Sequence, residues 1–109
     1  MSSRSGRRSP VADGEVLALR QDMTIARADF LRCLPAAVGH VPFTVAGSEI
    51  HCRLRASAWR ITVDALPDLH LGMIRLPRQR VSIHLSGYDA TATREFLDRF
   101  ELYFRRAGG

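Results

Sequence analysis

At 109 residues, 46% of them hydrophobic and 25% charged, the chain has the makings of one globular domain and excludes a disordered or fibrous protein. Its net charge of +5 at pH 7 comes from sixteen arginines and no lysine, set against eleven acidic residues. No apolar run approaches the ~20 residues that span a bilayer, which excludes a transmembrane helix, and Cys33 and Cys52 without a charged-then-apolar leader point to free thiols in a reducing cytoplasm.

Residues 1–14 are rich in Ser, Arg, Gly and Pro with little to bury, so composition predicts a basic tail. That tail, or an upstream extension if Met23 is the initiator, runs over residues 1–22, and a single α+β domain occupies 23–109. From Thr24, which can cap a helix, the apolar positions Ile25, Ala28, Phe30, Leu31 and Leu34 recur at three- and four-residue steps and predict a first helix. Pro35 ends it or begins a further turn, and Gly39 can take the left-handed conformation that closes a helix.

Between Val41 and Gly87 the period switches to two, through Phe43 and Val45, then Ile50, Cys52 and Leu54, then Trp59, Ile61 and Val63, and finally Val81, Ile83 and Leu85. Gly47-Ser48 reads as a two-residue hairpin turn, Arg55–Ser57 as a loop, and Ala65–Asp68 and Pro77–Gln79 as further turns, which leaves the segment 69–76 as a fourth strand of five. Its apolar residues fall on both faces, so Gly72 marks a bulge or both faces are covered. Asp89 then caps a second helix with Phe96, Leu97, Phe100, Tyr103 and Phe104 on one stripe, Arg105 and Arg106 at its end and Gly108 as its stop. The fold expected is a five-stranded antiparallel meander with an N-terminal and a C-terminal helix packed on one face; the alternative is a small Sm- or SH3-like barrel with terminal helices.

Candidate chemistry is sparse. His40, His51, His70, His84, Cys33 and Cys52 are the residue types that bind transition metals, but neighbours such as His51 and Cys52 point to opposite faces of a strand and a meander separates His51 from His84. His70 and His84 start at most a two-ligand site, so no metal and no cofactor is predicted. No nucleophile elbow or phosphate loop is present, and Cys52 alternates with core residues, where a thiol is inert.

Three functional readings follow. The first is a non-enzymatic, self-associating module, a homodimer with Leu97, Tyr103, Leu71 and Met73 at its interface. The second is a binder of nucleic acid or another polyanion through a basic sheet face carrying Arg53, Arg55, Arg60, Arg78 and Arg80; the lack of aromatics on that face weighs against it. The third is a small-ligand domain with a cleft near Cys33, His40 and Trp59.

Overall fold

The computed structural model describes residues 14–107. They form β1 (Val16–Met23), α1 (Arg27–Ala37), β2 (Thr44–Ala46), β3 (Glu49–Arg53), β4 (Ala58–Leu71), β5 (Ile74–Ser86) and α2 (Ala90–Ala107). The strands make one antiparallel sheet in the order β1-β5-β4-β3-β2. Strands β2 to β5 are therefore a meander, and α1 carries the chain from β1 at one edge to β2 at the other. No helix among the described residues is long and apolar enough to cross a membrane.

The period-two segments bury one face. Opposite partners Ile50, Ile61 and Ile83 form one row across three strands, and Cys52, Trp59 and Leu85 form the next. Both helices close this face. Phe30 of α1 stacks on Phe104 of α2 at 4.7 Å between ring centroids, and Trp59 lies 5.9 Å from Phe43 and 6.2 Å from Phe96. Burying each such large side chain contributes about 1.5–3 kcal/mol, so this aromatic cluster is the main cement between the layers.

Local signals set several ends. Asp89 Oδ1 accepts the Ala92 amide at 2.8 Å and caps α2 as its sequence predicts. Gly39, at φ +80°, closes α1: its amide reaches the Ala36 carbonyl and the His40 amide reaches the Pro35 carbonyl at 2.7 Å, the two bonds of a Schellman closure. Gly47, at φ +63°, makes the expected tight turn between β2 and β3.

Elsewhere the sequence reading is corrected. Residues 16–22, assigned to a tail or extension, belong to the sheet, where Arg20 pairs with Ser82 and Asp22 with Arg80. The expectation for residues 1–13 lies outside the described residues. Helix α1 starts at Arg27 from an extended Ala26 without a side-chain cap, so Thr24 does not cap it, and it runs through Pro35 to Ala37.

The predicted turns at 65–68 and 77–79 are not turns. β4 and β5 continue through both, and the true turn is Gly72-Met73, with Gly72 at φ +61°. Pro67 and Pro77 both fall in the register break between the Leu66–Arg78 and Leu69–Leu76 pairs, and neither strand has a third neighbour there, so both sit where ladder pairing is already interrupted.

Candidate interaction surface

β1 pairs with β5 only as far as Gln79, and β3 pairs with β4 only as far as Thr62. Past those points β4 and β5 go on alone as a two-stranded ribbon, reaching about 20 Å beyond the sheet at ~3.3 Å per residue. This arm accounts for the long axis of a molecule measuring 49 × 32 × 22 Å.

Register fixes what the ribbon presents. An extra residue of β4 is accommodated between Leu66 and Leu69, after which Leu69 faces Leu76, His70 faces Arg75 and Leu71 faces Ile74. Along β5, Ile74 and Leu76 share the face of Arg78, Arg80 and Ser82, the side turned away from the helices. The ribbon's apolar row thus lies on the opposite face from the core, which explains why the segment 69–76 shows apolar residues of both parities: a turn divides it. Leu71 is 54% exposed, Ile74 58% and Met73, in the turn, 100%.

A second surface runs along the seam between β1 and α2. One groove of about 670 Å³ is lined by Val16, Leu17, Leu85, Tyr88, Leu97 and Asp98, among others. A smaller cavity of about 310 Å³ continues it past Glu101 between Asp22, Met23, Phe104 and Arg105. Of the four residues predicted to share an interface, Leu97 lines this seam, Tyr103 is exposed elsewhere on α2, and Leu71 and Met73 lie on the ribbon. The sheet does not bring the four together.

The polar face of the sheet is not an open basic platform. Arg60 forks onto Glu15, with Nε to Oε2 at 3.1 Å and Nη2 to Oε1 at 3.0 Å, and touches Glu49 at 3.5 Å. Its side chain is only 19% exposed, and Glu15 reaches it across β5 from the start of β1. The Glu15 carboxylate holds the Arg60 guanidinium firmly charged against the cost of its partial burial.

Arg80 forks onto Asp22 at 2.9 and 3.3 Å, and Arg78 adds a contact at 3.5 Å, which holds the Asp22 carboxyl below its ordinary range, first through the hydrogen bonds from Arg80. Three of the five candidate anion-binding arginines are thus engaged by the carboxylates of Glu15, Asp22 and Glu49. Arg53 and Arg55 are exposed. The sequence hides these partners because Glu15 and Asp22 fall in residues 1–22, which it reads as a tail or upstream extension.

Histidines and cysteines do not converge. Among the described residues no three His, Cys, Asp or Glu side chains gather as a metal site. His51 and His84 both flank Arg60, one strand away on either side, about 10 Å apart at ~4.8 Å per strand. They are closer than a separate fourth strand would have left them. His70 lies out on the ribbon opposite Arg75, far from His84.

Cys52 is buried in the core, and desolvation raises its thiol pKa, which disfavours the thiolate. Trp59 is buried under Phe43 and Phe96, His40 is exposed, and neither groove described above is lined by Cys33, His40 or Trp59. Comparison with protein-family models, with curated proteins and with solved structures gives no match, so the function is argued from these surfaces alone.

Proposed function

We propose that the protein is a non-enzymatic interaction module that self-associates through the β4–β5 ribbon. The observation that carries this reading is the apolar row of Leu69, Leu71, Ile74 and Leu76, the first three exposed and the last half-buried, on an arm that projects from the sheet. A lone two-stranded ribbon is marginally stable in water, and such a row gains by burial against a partner.

The partner is a second copy of the chain. In a molecule of net charge +5, the ribbon is itself neutral, with Asp64 and Asp68 balancing Arg75 and Arg78. Two copies therefore meet there without the repulsion their overall charge would otherwise impose. An apolar row flanked by both signs is self-complementary about a two-fold axis. The free thiols of Cys33 and Cys52 suit a reducing cytoplasm.

Light scattering over a concentration series tests this reading. The expected mass is twice the 12.2 kDa of the chain, falling to that of one chain when Leu71→Asp and Ile74→Asp are combined, with far-UV circular dichroism unchanged. A wild-type chain that stays monomeric at millimolar concentration overturns it. A mass shift seen only with single-stranded nucleic acid and lost at moderate salt would instead move the reading to Arg53 and Arg55.

A further inference from the structure

The ribbon offers a second copy two kinds of contact, the outer edges of its strands and its apolar face. Its edges are poor templates for a further strand. Partway along them the register breaks between the Leu66–Arg78 and Leu69–Leu76 pairs, and Pro67 and Pro77 stand in that break with no amide hydrogen to donate. Prolines and irregularities of this kind are what blunt an edge against strand addition.

The face is the better surface, and it is one-sided. Leu66, Leu69, Leu71, Ile74 and Leu76 share it with Arg78, while His70 and Arg75 oppose each other on the back, where the ribbon is polar. Counted from the turn, the row occupies the pairs Leu71–Ile74, Leu69–Leu76 and Leu66–Arg78, about 13 Å at ~3.3 Å per residue. The next pair on that face, Asp64–Arg80, is charged, and Arg80 there forks onto Asp22 at 2.9 and 3.3 Å. The row thus has a defined middle, the Leu69–Leu76 pair, and a charged stop at its base.

We propose, building on the ribbon reading above, that two copies stack these faces antiparallel about a two-fold axis at the Leu69–Leu76 pair, so that Leu71 and Ile74 of each chain cover Leu66 and the Arg78 stem of the other. Three features support this arrangement. The first is length: the overlap uses the whole row of both copies, and each turn, with Met73 fully exposed at its tip, ends over the other copy's Asp64–Arg80 pair.

The second is charge. Stacking the ribbons parallel would set the two bases face to face, each in a chain of net charge +5, at the ~10 Å of packed sheets, about one Debye length at 0.1 M salt. Antiparallel stacking sends the bases to opposite ends of the dimer. The third is the row's one charged member: Arg78 already donates to the Pro67 carbonyl at 3.3 Å and lies 3.5 Å from an Asp22 carboxylate oxygen. The other copy's turn therefore meets its aliphatic stem and not an unanswered charge.

Isotope-filtered nuclear magnetic resonance on a mixture of labelled and unlabelled full chains, at a concentration where light scattering gives a dimer, tests the proposal. Methyl contacts between chains are expected from Leu71 and Ile74 to Leu66, and among Leu69 and Leu76. Raising the salt from about 0.05 to about 0.5 M should lower the dissociation constant by no more than about threefold, because the bases stay apart. Contacts of turn with turn, Met73 to Met73, or a steeper fall with salt mean parallel stacking and overturn the proposal. Contacts between Hα atoms of the two chains mean edge pairing and overturn it as well. In those cases the ribbon reading survives, since the dimer still forms through residues 66–76. A chain that is monomeric throughout, or contacts that lie wholly outside residues 64–80, sink both together.

Discussion

The same two strands, β4 and β5, lead two different lives. Over 58–62 and 79–85 they are flanked by β3 and β1, their apolar face lies under both helices, and Arg60 and Arg80 on the other face are held by carboxylates. Over 66–76 they have no neighbour strand, their apolar residues have changed face, and those side chains meet solvent. Backbone pairing is common to both halves, so the difference lies in what packs on the strands. A hairpin is made by its turn and register, whereas its stability and its use depend on what covers it.

Removing β1 would make the base resemble the ribbon. A chain beginning at Met23 strips β5 of its outer neighbour and Arg60 and Arg80 of Glu15 and Asp22. We expect no cooperative thermal transition from it, the largest effect of any change considered. A sharp two-state melt would mean that the remaining four strands suffice.

Point substitutions sharpen the contrast. Trp59→Ala or Phe30→Ala, beneath the helices, should cost about 3–5 kcal/mol by chemical denaturation, because the rings they remove are fully enclosed. Leu71→Ala on the ribbon should shift the stability of a dilute, monomeric sample by less than about 0.5 kcal/mol. If both cost the same, the ribbon is covered within the monomer.

The glycines report the same division at smaller scale. Gly87 and Gly72 both have positive φ, but a Cβ on Gly87 would overlap the Ala56 carbonyl oxygen, while one on Gly72 meets open space. Gly87→Ala should therefore cost about 2–3 kcal/mol, strain plus a shifted 55–57 loop, and Gly72→Ala about 1 kcal/mol of strain alone. Equal melting temperatures for the two variants would contradict the close approach at Gly87.

What was legible in the sequence was local. The Asp89 cap, the Gly47-Ser48 turn, the closure at Gly39 and the Phe96–Phe100–Phe104 stripe each depend on residues a few positions apart, and each stands where its pattern puts it. β1 was illegible because its strand character comes from pairing some sixty residues away, and because the irregularity between Leu17 and Leu19 breaks its alternation. Pro67 and Pro77 suggested turns, since sequence alone does not reveal that a register break between the two strands takes up both of them. The basic face misled for a related reason: its arginines are plain in β4 and β5, but the acids that engage them, Glu15, Asp22 and Glu49, come from the segment 15–22 and from β3.

The smallest effect expected is one of pH, and it belongs to the base. His84 stands opposite Arg60, and its Nδ1 is buried without a hydrogen-bond partner. Desolvation first, and the Arg60 charge second, push its pKa below the ordinary 6.5. The unfolded chain thus takes up that proton at a higher pH than the folded one. Stability is full above about pH 7 and declines as the pH falls through 6.5 toward the lower folded value. Asp22 acts in the same direction further down: its pKa lies below the ordinary 3.8, so the stability from its fork with Arg80 is present above that value and lost as the pH falls through the lower folded one. His84→Phe should flatten the stability profile just below pH 6.5 while leaving the acid limb in place, and Asp22→Asn should do the reverse. A profile in which both variants keep both limbs would mean that neither group is held at the base as its neighbours imply.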